Sequence, residues 1–192
     1  MKRIIILLSI FMCATTFAQR GYVSGSIGFD VKNSFVGSKP TNNNPSLDIL
    51  LKATAVGNKG FEVSAVYERF QQINFEKYAF SAGYNFPLYA YIGRNEIKTN
   101  ILFGLEPTII HRWSTWGGGI SWNQDSSFLT MGANVGARWF VNDHLGFEIL
   151  YNPVIRQDLA AMYGHKNTGR LIIGDAPVVG NTYLVFIYKI DR

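Results

Sequence analysis

The sequence predicts an all-β fold, an eight-stranded antiparallel up-and-down transmembrane β-barrel. Three patterns predict it: apolar residues at every second position, charges recurring mid-strand on the opposite rows, and links that alternate between long and tight. The clearest run is Leu129–Val141. Leu129, Met131, Ala133, Val135, Ala137, Trp139 and Val141 alternate with Thr130, Gly132, Asn134, Gly136, Arg138 and Phe140. Side chains alternate faces along a strand, so one face is apolar and the other small, polar or charged. Strands in soluble domains usually run about 5–6 residues. A bilayer-crossing strand needs about 9–11 at a tilt of roughly 45°.

Residues 1–18 read as a secretory signal peptide, and residues 19–192 as the barrel domain. Lys2 and Arg3 precede an apolar core from Ile4 through Ala14, and Thr16-Phe17-Ala18 places small residues at the cleavage positions. The apolar run is too short for a membrane-spanning helix. Met12 before Cys13 disfavours a lipoprotein leader. Cys13 is the only cysteine and leaves with the leader, so the mature chain holds no disulfide. Without Lys2 and Arg3 the chain carries 16 basic and 13 acidic residues, an excess too small and scattered for nucleic acid.

The elements follow in order. Tyr22–Val31 alternates, and Lys32–Pro45 is a polar loop with an asparagine triplet. Leu47–Ala55 is the second strand, closed by the tight turn Gly57-Asn58-Lys59-Gly60. Phe61–Phe70 is the third, followed by a short link at Gln71-Gln72. Lys77–Phe86 is the fourth, and Pro87 to about Lys98 reads as a longer turn. Thr99–Trp113 is the fifth, with a bulge or early end expected at Pro107, which lacks a ladder donor. Ser114–Ser127 is a loop rich in glycine and tryptophan, Leu129–Val141 the sixth strand, and Asn142-Asp143-His144 a tight turn. Leu145–Asn152 is the seventh strand. Pro153–Asp175 is the longest link, with a short helix expected over Ile155–Tyr163. The last strand runs from about Val178 to Ile190. Leu184, Phe186, Tyr188 and Ile190 share one face, but Tyr183, Val185 and Ile187 make the other almost as apolar.

Alternation alone does not say which face is inside. The polar rows carry Asp30, Lys52, Glu62, Glu68, Lys77, Glu106, Arg112, Arg138 and Glu148, of both signs and among small residues. An eight-stranded barrel has an interior just wide enough to be filled by side chains. These nine are therefore expected to form a structural network of paired charges inside it. Phe61, Phe86, Trp139, Phe147 and Tyr188 would collect at one rim, and Tyr67, Tyr78 and Tyr151 at the other, as interfacial girdles do. With the N-terminus periplasmic, the tight turns face the periplasm and the longer links face outside.

This combination resembles the small outer-membrane barrels of Gram-negative bacteria, the OmpA/OmpX-type group, over Gly21–Arg192. The resemblance implies outer-membrane localisation and handling by the barrel-assembly machinery. The ending Lys189-Ile190-Asp191-Arg192 departs from the terminal aromatic common in that group.

The function expected is non-enzymatic: membrane integrity, adhesion or surface recognition through extracellular loops, with no cofactor or metal. His111, His144 and His165 form no cluster with acidic residues, and neither His-x-Ser nor Ser-x-His occurs. Expected partners are outer-membrane lipid and lipopolysaccharide, and a surface ligand or host protein at the loops. Trp113, Trp116 and Trp122 are candidate recognition residues because loop aromatics supply rigid contact area. Arg156, Lys166 and Arg170 are candidates for lipopolysaccharide phosphate. Two alternatives compete: a soluble secreted lipocalin-like barrel binding a small apolar ligand, and a lipid-modifying barrel enzyme using His111 with Ser114 and Asp125.

Overall fold

The structure, a computed structural model, describes residues 21–38, 43–92, 95–113, 125–159 and 171–190. The leader, Ser114, Trp116, Trp122, His165, Lys166 and Arg170 lie outside the described residues.

Among the described residues nine strands form: β1 Tyr22–Asp30, β2 Asp48–Val56, β3 Phe61–Phe70, β4 Phe75–Ile92, β5 Asn95–Arg112, β6 Ser126–Phe140, β7 Leu145–Ile155, β8 Ile172–Ile173 and β9 Ala176–Ile190. Neighbours from β1 to β7 pair antiparallel in chain order, β7 pairs with β9, and β9 closes on β1. The closing register runs from Val23↔Ile190 to Asp30↔Tyr183. Eight strands thus make a closed barrel. β8 is a two-residue arm pairing with Pro177 and Ala176 at the start of β9. The connections β2–β3, β4–β5 and β6–β7 lie at one end, here the turn end; the other is the loop end.

The faces sort by residue parity. Leu105, Leu129, Phe103 and Ile149 are exposed outside, whereas Glu62, Glu106, Arg138 and Glu148 are buried inside. The ambiguity of the last strand is resolved: Tyr183, Val185 and Ile187 point inward, and Phe186, Tyr188 and Ile190 outward. Leu50, Val66, Leu102 and Leu150 supply apolar partners for the inward set.

Four local expectations are corrected. Pro87–Lys98 is not a long turn. β4 and β5 continue through it, from Pro87↔Asn100 to Ile92↔Asn95. The first β3 partner on β4 is at Tyr84, and the last β6 partner on β5 is at Asn100. The hairpin therefore projects past its neighbours as a two-stranded ribbon, in a stretch of Leu, Tyr and Ile that favours extended backbone. Pro107 makes neither a bulge nor an end. Ala79↔Thr108 and Ala82↔Leu105 keep one register on either side of it, with the ladder interrupted between.

Pro153 does not end the seventh strand, which reaches Ile155. Pro153 cannot donate to the ladder. Asn152 Nδ2 instead donates to Ala133 O at 2.8 Å. That amide also bonds Glu106 Oε1 and Asn134 Oδ1, while its oxygen accepts from Lys77 Nζ at 2.8 Å. Asn152→Leu should therefore cost about 1–3 kcal/mol, because buried partners lose their hydrogen bonds. A urea midpoint equal to wild type in detergent micelles would remove that role.

In place of a helix over Ile155–Tyr163 the described residues hold one 3₁₀ turn, Gln157–Leu159. The first loop contains a π-helical turn, Lys32–Val36, anchored where Asn33 N donates to Asp30 Oδ1 and Ser34 Oγ meets the Asp48 backbone.

Candidate functional site

Inward residues succeed one another along each strand, and their order sets the layers of the interior. β7 presents Glu148, Leu150, Asn152 and Val154 in sequence, with Arg156 just beyond its end; β3 presents Glu62, Ser64, Val66, Glu68 and Phe70. The layer nearest the turn end is ionic. Arg138 Nη1 and Nη2 bond the two oxygens of Glu62 at 2.9 and 3.0 Å, and Arg138 Nε bonds Glu148 Oε2 at 2.6 Å. Lys52 Nζ bridges the same two carboxylates at 3.2 and 3.3 Å. Arg138 also donates to the Tyr22 hydroxyl at 2.7 Å. Two cations thus meet two carboxylates, the pairing a dry interior requires.

The apolar layer of Leu50, Val66, Leu102, Leu150, Tyr183, Val185 and Ile187 follows. Along β3 and β7 it falls between the first ionic layer and a second. In the second, Lys77 Nζ lies 2.9 Å from Glu68 Oε2 and 3.2 Å from Glu106 Oε1. Asn134 Nδ2 donates to Glu106 Oε2 at 2.7 Å and to Ser81 Oγ at 2.8 Å.

Near the loop end, Asp30 and Asp48 are buried and joined through Asn33, whose Nδ2 donates to Asp48 Oδ2 at 2.6 Å. Arg112 Nη1 donates to Asp158 Oδ2 at 2.7 Å, and Arg156 Nε and Nη2 grip Asp158 at 2.8 and 2.7 Å. Burial pushes the Asp158 carboxyl up, but Arg156 and Arg112 outweigh it and hold the group below its ordinary range. This corrects Arg156 as an exposed phosphate-binding candidate. It is buried against Phe75, its guanidinium 4.6 Å from the ring centre, because Asp158 folds back over the barrel mouth.

Outside the barrel, at the loop end, a polar cluster interrupts the apolar surface. Arg69 pairs with Glu76, which also accepts from the Tyr67 and Tyr78 hydroxyls at 3.1 and 2.7 Å. Arg69 stands 5.4 Å from the Trp113 ring centre, and His111 meets Trp113 edge-on at 4.2 Å. Trp113 is therefore half-buried in a rim cluster rather than displayed on a free loop. His111 Nδ1 is hydrogen-bonded to Ser127 Oγ. Among the described residues no carboxylate bonds the His111 ring.

At the turn end the outward aromatics form a chain of contacts. Tyr84 lies 4.6 Å from Phe86, Phe86 lies 6.2 Å from Phe103, and Trp139 stacks on Phe147 at 5.1 Å. Trp139 Nε1 donates to Thr99 Oγ1 at 2.9 Å. Tyr67 and Tyr78 meet at the opposite end, 5.2 Å apart. Tyr151 sits mid-strand opposite Val135, and its ring leans over Gly180, where an added Cβ would lie 2.1 Å from the hydroxyl. His144 is half-buried and stacked 6.0 Å from Tyr188.

All nine charged residues expected inside are buried there, in three groups. Eight of them take ion-pair partners, while Asp30 is held by a backbone amide. Sequence reasoning left out Tyr22, Asn85, Asn134 and Asn152, which complete the network; their row parity on the strands is the signal that finds them. No group of His, Cys, Asp and Glu among the described residues could hold a metal ion.

The arrangement defines a closed eight-stranded barrel with a filled, charge-paired interior and an apolar outer surface. Among solved structures the chain is similar to Neisserial surface protein A, with 15% identity over 90% of this chain and 97% of that one and a TM-score of 0.46. It is also similar to the Yersinia pestis outer membrane protein Ail, solved in a phospholipid bilayer nanodisc, with 15% identity over 88% of this chain and 99% of that one and a TM-score of 0.45. No protein-family model and no curated protein sequence matches the chain.

Proposed function

We propose that the protein is a non-enzymatic integral barrel of a Gram-negative outer membrane, exported by residues 1–18 and inserted by the barrel-assembly machinery. Its loop end faces outside and presents surface loops for membrane integrity, adhesion or recognition. The observation that carries this reading is the polarity of the wall. Ile27, Leu51, Phe80, Leu105, Leu129, Ile149 and Phe186, from strands all round the barrel, are exposed, while charge is sequestered within. A soluble monomer rarely exposes a contiguous apolar patch beyond about 300–600 Å². An apolar band flanked by aromatic girdles is what a bilayer covers. The same polarity opposes the soluble lipocalin-like alternative, which needs its apolar face inside.

Outer-membrane lipid and lipopolysaccharide are then the partners of the wall and rim. The polar cluster of Arg69, Glu76, His111 and Trp113 would lie at headgroup level, and the loops bearing Trp116, Trp122, Lys166 and Arg170 would meet a surface ligand or host protein. Alkaline carbonate should leave the protein in the membrane pellet, and unheated samples should migrate differently from boiled ones on a gel. Release into the carbonate supernatant would overturn the reading.

The His111–Ser127 hydrogen bond favours a second reading, lipid modification with Ser127 as nucleophile and His111 as base. Nucleophilic triads place a third group on the base, and none bonds His111 among the described residues. Lipid A of unchanged mass on overexpression is expected. A mass shift abolished by His111→Ala or Ser127→Ala would make the protein an enzyme.

A further inference from the structure

At the turn end a cavity of about 700 Å³ opens away from the barrel, within the volume range of small-molecule sites. Three separate segments wall it: the β2–β3 turn through Asn58 and Lys59, the base of the β4–β5 ribbon through Lys98 and Asn100, and the β6–β7 turn through Asn142 and Asp143. Its floor is apolar and cationic. Lys189 Nζ stands 4.7 Å from the centre of the Tyr22 ring and 3.6 Å from that of Phe140. The first ionic layer lies behind this floor and is already neutralised internally.

Two features of the lining point to a ligand. It carries three lysines, Lys59, Lys98 and Lys189, and one carboxylate, Asp143. Lys59 and Lys98 are exposed, belong to different turns and line the same cavity, with Lys98 Nζ 5.7 Å from the Tyr89 ring centre. The lining is also rich in carboxamides, from Asn58, Asn85, Asn100 and Asn142. Asn85 is only 6% exposed, and its Nδ2 is committed to Glu62 Oε2 at 3.3 Å. Its Oδ1 accepts no hydrogen bond from the protein. A buried acceptor without a donor is costly. Carboxamides match sugar hydroxyls and N-acetyl groups, which both donate and accept. Ammonium groups match carboxylate.

We propose that the turn-end cavity binds an acidic N-acetylated glycopeptide, its peptide carboxylate between Lys59 and Lys98 and its sugar hydroxyl and N-acetyl groups against the asparagines. With the orientation proposed above the cavity faces the periplasm, and the ligand is then a segment of cell-wall peptidoglycan. That source rests on the orientation; the binding does not, since it is measured on the purified barrel.

The test titrates the full-length folded protein in detergent micelles, by calorimetry, with muramyl dipeptide, with chitotriose as a neutral N-acetylated glycan, and with inorganic phosphate. Saturable binding of muramyl dipeptide is expected, with chitotriose weaker by about tenfold or more, the scale of one charged contact. Lys59→Glu with Lys98→Glu should abolish it, with the unheated gel mobility kept as evidence of the folded barrel. If that pair of substitutions impairs folding, Lys59→Gln with Lys98→Gln should weaken binding by about tenfold. No saturable binding by the folded protein, undiminished binding by a folded variant, or full displacement by phosphate would each overturn the proposal. A protein released into the carbonate supernatant that still binds muramyl dipeptide would refute the membrane reading and keep the site.

Discussion

Arg138→Leu is expected to cost about 3–5 kcal/mol, as removing one partner of a buried ion pair does. Arg138 is the one group that reaches Glu62, Glu148 and the Tyr22 hydroxyl together. Without it, Lys52 alone faces two buried carboxylates, and one negative charge is stranded behind the apolar layer. The loss should appear as a lower urea midpoint and a smaller fraction of heat-modifiable, folded barrel. Arg138→Lys should recover only part of it, because an ammonium cannot make the paired contact with both Glu62 oxygens. Adding Glu62→Gln to Arg138→Leu should restore stability, since Lys52 then balances Glu148. A midpoint for Arg138→Leu within error of wild type would show that the network contributes nothing to the fold.

Ala133→Arg is expected to cost about 2–4 kcal/mol in a bilayer, the range for a basic residue on the lipid face at the midplane. Ala133 faces outward opposite Leu105, midway along β6. The effect should be much smaller in detergent micelles, where water reaches the guanidinium. Gly132→Ser, one residue away, points inward, and its new Cβ would lie 3.0 Å from Val154 Cγ2. It should cost less than Ala133→Arg, through packing alone and to the same extent in both media. Gly25→Ala is the neutral control, since an added Cβ there meets no atom within 4 Å. Normal insertion of Ala133→Arg into bilayers would argue against lipid on that face.

The barrel was legible because a period of two is written into nearly every strand, and because inward charges such as Glu62, Lys77, Glu106 and Arg138 recur at one parity. The same rule fails where both rows are alike, as at Tyr183–Tyr188. There only the neighbouring Leu50, Leu102 and Leu150 decide which side is inside. It also misleads at proline. Pro107 and Pro153 remove ladder donors, yet register is kept at Pro107 and Asn152 fills the gap beside Pro153, a substitution visible only with the partner strand in place. The ribbon beyond Phe86 was missed because Pro87 and Gly93 punctuate a stretch whose composition still favours strand. Arg156 was misplaced because a basic residue past a strand end reads as solvated until Asp158 is seen to fold back on it. The turn-end cavity draws on three turns distant in sequence, and no local pattern brings Lys59 and Lys98 to one cavity.

The seam between β1 and β9 sets an order of events. Val23 pairs with Ile190 and Asp30 with Tyr183, so the first strand waits for the last. Contacts this remote along a chain are slow to form. Until they do, β1 and β9 each carry an open edge with unpaired amides and carbonyls, ready to accept a foreign strand. Closure is therefore the final and least local step of assembly. A chain cut or stalled before Ala176 would retain seven of its eight staves and still be an adhesive sheet rather than a barrel.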